Sequence, residues 1–326
     1  MVIRIFKTNQ IIANIFIVVL AVLLLIPGYF SPIAPIVIGG VELNTENYSL
    51  FNFTIENRFV DVLLFSILIG FQGVFLNFII NREKLIKGNT HLVGLFYVVL
   101  NSGIPILFAV TPIIISNTLI ITILWLFFKL YSLHNAKPLL FNIGFLLGIS
   151  VLIYVPLFCL FPLIWIVLSY VRTPNFRDFF VSLLGFLLPF IYLVAYLYLS
   201  NQLFNSNYID WIYYPAIFST SVISKPFIYF LVIIIGFVLL AFFSMFFQLE
   251  RDVIKDRKLF IIFILLALFF FVTLIFNSDD YNSLYILLTI PFSVFLANYF
   301  NKLKKEWLAE VFFTIILLGI LGSYFL

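Results

Sequence analysis

The chain has 326 residues, of which 64% are hydrophobic and only 10% are charged, with a formal net charge of +4. A soluble domain needs a polar exterior, so this composition excludes a water-soluble globular protein, and it equally excludes a disordered chain. The single cysteine, Cys159, excludes internal disulfides and cysteine metal clusters. Because His91 and His134 are the only histidines and are far apart, we expect no metal site and no bound cofactor. What remains is a polytopic membrane protein.

Apolar stretches long enough to cross a bilayer predict about 11 membrane-spanning helices. The first two are predicted at about 11–30 and 59–80. The first resembles a signal peptide, but Pro27-Gly-Tyr-Phe30 offers no small-residue cleavage site, so we interpret it as a retained helix. The last five are predicted at about 179–200, 226–248, 259–276, 283–300 and 308–325.

Between these, two longer apolar runs are each predicted to form a short hairpin broken at a proline. A single helix over residues 90–128 would be about 58 Å long, roughly twice the thickness of the hydrocarbon core, so a break near Thr111-Pro112 fits better. Residues 139–171 are predicted to turn near Tyr154-Val-Pro156. The legs of this second hairpin have only about 16 residues, so a re-entrant or membrane-thinning arrangement stays open.

The resulting fold class is an all-α, polytopic transmembrane helical bundle with no sizeable soluble domain. Residues 1–326 form a single integral membrane domain, in which the first outer loop covers about 31–57 and the second about 201–225. The orientation follows from the 18 Lys and Arg residues: with the N-terminus inside, all but Arg58 and Lys225 lie on inner segments. We therefore expect a cell inner-membrane protein with a cytoplasmic N-terminus and an outer C-terminus.

The basic residues of the inner segments indicate the expected binding partners. Basic inner segments attract anionic membrane lipids weakly, so membrane lipids are the expected partners. We expect no nucleic-acid binding, because there is no soluble basic domain to carry it.

Acidic residues on the outer side are the candidate catalytic groups. Asp61 lies within the first turns of the second span, and an acid partly below the interface is a functional candidate. Arg58 is three residues earlier and so on the same helix face. The alternative is a structural role, in which Asp61 pairs with Arg58 and its negative charge is stabilised by the positive end of the helix dipole. Glu56 is the second catalytic candidate, and its alternative role is as a helix-entry residue.

Four further outer residues, with Arg58, are candidate substrate-binding groups. Asp210 beside Trp211 could bind a sugar by hydrogen bonding and stacking, although an aromatic belt at the membrane interface explains the same residues. Asp279 and Asp280 could hold a divalent cation, whereas adjacent acids on a short loop more often cap the following helix.

Two family resemblances rest on the middle of the chain. The run Leu124–Tyr131, then Asn135–Ser150 and Tyr154–Pro156, resembles a family of Bacteroidota multipass inner-membrane proteins with no established function. Some members are labelled carotene monooxygenases, whose iron needs several histidines, and this chain has two. The same stretch, with Gly144 and Gly148, is similar to part of the polyprenyl-phosphate-dependent membrane glycosyltransferases. That similarity implies a polyprenyl-phosphate sugar as substrate and a catalytic acid in the first outer loop, Glu56 or Asp61.

Three classes of function follow. The most specific is a lipid-linked-sugar glycosyltransferase-like protein acting at the outer face of the inner membrane. The second is a non-enzymatic scaffold or assembly factor whose partners are other membrane proteins. The third is a transporter of a neutral or lipidic substrate, which predicts a midplane cavity lined by residues such as Asn77 and Asn101 rather than a solidly packed bundle.

Overall fold

A computed structural model describes twelve segments of the chain, which are residues 2–7, 12–30, 37–38, 41–42, 57–88, 90–103, 109–131, 136–173, 175–200, 225–249, 254–276 and 281–325. Almost all of these residues are helical, which confirms the all-α prediction. The exception is a pair of two-residue antiparallel strands, β1 (Val37–Ile38) and β2 (Val41–Glu42), in the first predicted outer loop. The remainder of that loop up to residue 56 and residues 201–224 of the second lie outside the described segments.

The described helices lie along the predicted apolar stretches. In chain order they are α1 (Val2–Lys7), α2 (Ile12–Leu24), α3 (Ile26–Phe30), α4 (Arg58–Glu83), α5 (Leu92–Asn101), α6 (Pro112–Leu130), α7 (Lys137–Ile153), α8 (Phe161–Val171), α9 (Phe176–Leu199), α10 (Lys225–Leu249), α11 (Ile254–Phe276), α12 (Tyr281–Lys302) and α13 (Glu306–Phe325). A 3₁₀ helix at Val155–Leu160 joins α7 to α8.

Three of the described helices, α4, α6 and α9, are long and apolar enough to cross a membrane by length and composition. The protein is therefore a helical membrane protein. The total of about 11 crossings stays a prediction.

Both predicted proline breaks interrupt the helices where expected. The helix α6 begins at Pro112, and the preceding Thr111 is extended, with φ −99° and ψ 155°. The helix α7 ends at Ile153, and Tyr154 is extended before Pro156 enters the 3₁₀ helix. Proline suits a first helical turn because its N–H would have no partner there, and it disfavours helix in the residue before it.

The helix α5 lies at the centre of the bundle, and all ten of its residues are buried. It packs against α2, α4 and α12. The approach to α4 depends on a pair of glycines: a Cβ placed on Gly94 would lie 2.9 Å from the carbonyl oxygen of Gly73. Small residues at such a crossing let two helix backbones approach closely, which is how helices in membranes gain van der Waals contact.

A second close crossing joins α7 to α9. A Cβ on Gly144 would lie 2.9 Å from the backbone nitrogen of Phe186 and still closer to the carbonyl oxygen of Ser182. A Cβ on Gly148, one turn later, would lie 3.0 Å from the ring of Pro189. The helix α7 thus packs extensively against α9 rather than against its sequence neighbour α8.

Side-chain contacts give the relative directions of the first helices. Asn81 Nδ2 donates to the carbonyl oxygen of Thr90 at 2.9 Å, and Tyr97 OH donates to Gln72 Oε1 at 2.7 Å. Higher numbers on α5 therefore meet lower numbers on α4, so the two helices are antiparallel. Gln72 of α4 donates to Ile114 near the start of α6, and Arg82, ten residues later on α4, lies over the ring of Trp125 farther along α6. The two helices therefore run parallel.

The helices of the second predicted hairpin and the helix that follows also alternate in direction. Trp165 Nε1 donates to Ser182 Oγ at 3.2 Å, and the rings of Phe161 and Phe186 are 4.6 Å apart. The helix α8 is therefore antiparallel to α9, whereas α7 is parallel to α9. The chain reverses direction between α7 and α8, as the predicted hairpin requires.

One end of the bundle carries the basic residues, and we call it the basic end; it holds Arg82, Lys129, Arg172, Lys255 and Lys258. Two lysines in the first turns of α11 join other helices there. Lys255 Nζ lies 2.9 Å from Glu83 Oε2, and Lys258 Nζ donates to the carbonyl oxygen of Val171 at 3.0 Å. These contacts satisfy acceptors at the C-terminal ends of α4 and α8, where backbone carbonyls lack helical partners.

Candidate functional site

The end of the bundle opposite the basic end holds the predicted catalytic residue Asp61, in the first turn of α4. Asn57 caps this helix, its side-chain oxygen accepting from the Phe59 backbone N–H at 3.1 Å. Asp61 is only 8% exposed. Its Oδ1 accepts a hydrogen bond from the backbone N–H of Val110 at 2.8 Å, which holds the start of α4 against the segment that leads into α6.

The second carboxylate oxygen of Asp61 faces Arg58, as the three-residue spacing predicts. Arg58 Nη1 lies 3.8 Å from Asp61 Oδ2, a loose ion pair. The positive end of the α4 dipole also stabilises the carboxylate. The contact thus fits the alternative role of Asp61 as the ion-pair partner of Arg58. It uses Nη1 of the guanidinium and does not involve Nε.

Two buried hydrogen-bond donors beside this pair have no acceptor within the described part of the chain. They are Arg58 Nε and the hydroxyl of Thr111, which follows Val110. Buried polar groups in folded proteins are nearly always paired with protein or ordered water, so each of these donors needs an acceptor. Ordered water or the oxygen atom of a bound molecule can supply it. We call Arg58, Asp61 and Thr111 the Asp61 site.

Of the residues that the sequence nominated, the structure brings together Arg58 and Asp61. The others lie outside the described segments: Glu56, Asp210, Trp211, Asp279 and Asp280. Among the described residues, no group of three or more His, Cys, Asp or Glu side chains is placed to hold a metal ion.

A buried polar network lies deeper in the bundle and centres on Gln72 of α4. Its Nε2 donates to the carbonyl oxygen of Ile114 and to Thr118 Oγ1, each at 2.7 Å, both on α6. Its Oε1 accepts from Tyr97 OH at 2.7 Å. The single amide thus joins three helices, and Gln72 and Tyr97 are both fully buried.

The network continues from α5 to α12. Asn101 Nδ2 donates to the carbonyl oxygen of Tyr97 at 2.8 Å and to Thr289 Oγ1 at 3.2 Å. Tyr285 OH donates to the carbonyl oxygen of Leu100 at 2.8 Å. The sequence singled out Asn101 as a polar residue of the bundle interior. It missed Tyr97, Thr289 and Tyr285, because Tyr and Thr are common in this chain and carry no distinguishing pattern.

Asn77, the other residue proposed to line a transport cavity, pairs with a histidine. Its Nδ2 lies 3.2 Å from His91 Nδ1, and both side chains are buried. The backbone N–H of His91 donates to the carbonyl oxygen of Phe6 at 2.7 Å, so α1 covers this pair at the basic end. Asn77 and Asn101 therefore both make contacts between helices.

We expect Gln72→Leu to lower the free energy of unfolding by about 1–3 kcal/mol, because it leaves the buried Tyr97 hydroxyl without its acceptor and removes the hydrogen bonds to α6. Thermal or denaturant unfolding of the purified protein in detergent measures the change. Asn142→Leu is the matched control, since Asn142 is a polar residue on the exposed face of α7. Equal stability of the Gln72 variant and the wild type would show that the network does not hold the helices together.

Comparison with known families adds one match. The sequence profile of a family of unknown function (DUF6427) matches residues 41–326. That range runs from β2 through α13 and includes the Asp61 site, the polar network and the α7–α9 crossing. No curated protein matches the chain. Because the family profile covers most of its length, the chain belongs to the DUF6427 family of unknown function.

Proposed function

We propose that this protein transfers a sugar from a polyprenyl-phosphate carrier to an acceptor hydroxyl at the outer face of the membrane, with Asp61 as the general base. The observation that carries this proposal is the Asp61 site: a buried, oriented carboxylate beside two donors, Arg58 Nε and the Thr111 hydroxyl, that lack an acceptor among the described residues. An acid and a cation at one membrane surface are the groups that such a transfer uses.

The proposed step is a displacement at the anomeric carbon of the sugar. The acceptor oxygen forms a bond to that carbon while its proton passes to the Asp61 carboxylate, and the bond between the carbon and the carrier phosphate breaks. The electron pair of the broken bond stays on the phosphate oxygen, so polyprenyl phosphate leaves. General-base removal of the proton makes the acceptor oxygen a better nucleophile.

The roles of Arg58 and Thr111 follow from the charge that develops on the leaving phosphate. A guanidinium donates to phosphate oxygens with planar geometry, and charge-assisted hydrogen bonds of this kind are stronger than neutral ones. The Thr111 hydroxyl supplies a second donor. Val110 would position Asp61 by donating its N–H to the carboxylate oxygen that does not face Arg58.

The topology that this function needs is part of the proposal. It places about 11 crossings in the cell inner membrane, with the basic end in the cytoplasm. The opposite directions of α4 and α5, and of α8 and α9, support it, as does the position of the Asp61 site at the end of the bundle opposite the basic end. A carrier whose sugar lies at the outer surface would then meet Asp61 directly.

The glycan and polyprenyl-linked lipid profiles of cells that carry single substitutions test the proposal. Cells with Asp61→Asn are expected to reproduce the profile of a deletion strain, with the carrier-linked sugar accumulating and its glycan product missing. Glu56→Gln measures the contribution of the other predicted acid.

Asp178→Asn is the matched control for that test. Asp178 is also a buried acid in the first turn of a long helix, where it takes part in the capping box of α9. It carries no proposed catalytic role, so its cells should keep the wild-type profile. A wild-type profile in Asp61→Asn cells would contradict the proposal.

A further inference from the structure

A strip of three phenylalanines runs along the surface of α4 and ends at Arg82 of the basic end. Phe71, Phe75, Phe78 and Arg82 follow one another at spacings of four, three and four residues, so they share one face of the helix. Phe71 and Phe78 are 54% and 51% exposed, and Phe75 is partly buried. The rings of Phe71 and Phe75 are stacked, with their centres 6.0 Å apart. This face of α4 is therefore apolar and open along its length, with a cation at its end.

The parallel helix α6 lies directly beside this strip. Gln72, next to Phe71, donates to Thr118 Oγ1 of α6 at 2.7 Å. Farther along, the ring of Trp125 meets that of Phe75 edge-on, with the ring centres 6.3 Å apart. The face of α6 on this side consists of partly exposed residues at helical spacing, which are Thr118, Thr122, Trp125 and Lys129. We call the two adjoining faces the α4–α6 surface.

Two cations, one from each helix, contact the Trp125 indole where this surface reaches the basic end. Lys129 Nζ lies 3.4 Å from the centre of the ring, and Arg82 Cζ lies 5.8 Å from it. The fold thus holds two positive charges beside one aromatic side chain. Like charges repel each other, and an anionic group bound at this ring would offset that repulsion.

The guanidinium of Arg82 has donors to offer such a group. Its side chain is exposed, and within the described part of the chain it makes no hydrogen bond. The ion pairs within 4.0 Å in that part join Arg58 to Asp61 and Lys255 to Glu83. A guanidinium presents N–H donors in a plane that matches the oxygens of a phosphate. A phosphate group therefore suits this end of the α4–α6 surface.

The length of the aromatic strip fits one leaflet of a bilayer. From Phe71 to Arg82 the helix rises about 16 Å, and half of the hydrocarbon core is about 15 Å thick. A lipid whose phosphate lies at Arg82 would lay an acyl chain along Phe78, Phe75 and Phe71. A soluble phosphate compound would contact the charged end alone and leave the strip unused, so the strip favours a lipid.

We propose that the α4–α6 surface binds one anionic phospholipid, with its phosphate at Arg82 and Lys129 beside Trp125 and an acyl chain along the phenylalanine strip. Asp61 lies in the first turn of α4 and Arg82 in its last turn, so this lipid site and the Asp61 site are at opposite ends of one helix. The proposal therefore stands whether or not the protein is a sugar transferase.

Native mass spectrometry of the full chain tests this site. The purified protein is stripped of lipid and titrated with phosphatidylglycerol or, separately, with phosphatidylcholine that carries the same acyl chains. The wild type should bind the first phosphatidylglycerol more tightly than the first phosphatidylcholine. Arg82→Gln should raise the dissociation constant for phosphatidylglycerol about fivefold, the effect of one basic residue near an anionic lipid. Arg82→Lys keeps the charge and should retain most of the affinity.

Two further variants separate this site from general attraction to the basic end. Lys304→Gln removes an exposed charge from the connection between α12 and α13 and should leave the dissociation constant unchanged. Phe78→Ala removes an exposed ring from the strip while every charge stays, and it should weaken phosphatidylglycerol binding. Both positions are exposed, so the packed interior of each variant is unaltered.

Three results would overturn the proposal. Basic residues also stabilise the C-terminal ends of helices, and that role alone predicts equal affinity of the wild type for the two lipids. An equal loss of affinity in Arg82→Gln and Lys304→Gln would show that the attraction is general. Wild-type affinity in Phe78→Ala would show that no acyl chain lies on the strip.

Discussion

Asp61→Asn is expected to lower the rate of sugar transfer by about 10²–10⁴-fold, the usual contribution of a general base, while the protein stays folded. An asparagine oxygen can still accept the Val110 N–H that now bonds to Asp61 Oδ1 at 2.8 Å, so the link between α4 and the segment before α6 survives. What disappears is the negative charge and the ability to take a proton. Initial rates on a polyprenyl-phosphate sugar, together with a thermal unfolding curve for each protein, measure the two effects separately.

The same comparison distinguishes catalysis from a structural role. If Asp61 only pairs with Arg58, the asparagine variant loses a loose, 3.8 Å ion pair and should show a small change in stability with no change in rate. Asp61→Glu keeps the charge but moves it, and we expect it to recover part of the rate. An unchanged rate in Asp61→Asn would remove Asp61 from the proposed mechanism.

Gly144→Ala is expected to destabilise the protein by about 1–3 kcal/mol, the usual range for one added group in a tightly packed contact. The new Cβ would lie 2.9 Å from the Phe186 backbone nitrogen and closer still to the Ser182 carbonyl oxygen. These are backbone atoms of α9, which cannot move aside as the end of a flexible side chain can. The helices must separate, and the contact along both is weakened. Thermal unfolding in detergent measures the loss.

Gly236→Ala is the control for this substitution. Gly236 is also inside a long helix, α10, but a Cβ there would meet nothing within 4 Å. Alanine has the higher helix propensity, so this variant should be as stable as the wild type or slightly more stable. If the two alanine variants unfold at the same temperature, the close α7–α9 crossing does not determine stability.

Much of the fold follows from the sequence because the bilayer restricts the possible structures. Apolar length, prolines and basic residues are local signals, and they located the helix breaks at Pro112 and Tyr154. Which helices pack together is not local. Nothing in the sequence names the helix that Gly144 and Gly148 contact, and α7 packs against α9 rather than α8.

The candidate site was predictable to the same limited extent. The three-residue spacing placed Arg58 beside Asp61, because residues three apart share a helix face. The Val110 N–H that orients Asp61 is 49 residues away in the chain, and a backbone group carries no sequence signal. The same holds at the basic end for Lys258, whose hydrogen-bond acceptor, the Val171 carbonyl oxygen, is 87 residues away in the chain.

The most direct test of the central claim is whether the purified wild-type protein, reconstituted in lipid vesicles, releases polyprenyl phosphate from a polyprenyl-phosphate sugar when an acceptor alcohol is supplied. We predict release in proportion to the glycoside formed, and none from the Asp61→Asn protein. A folded protein that releases no polyprenyl phosphate, and that co-purifies instead with other membrane proteins, would contradict the transferase proposal and indicate an assembly factor.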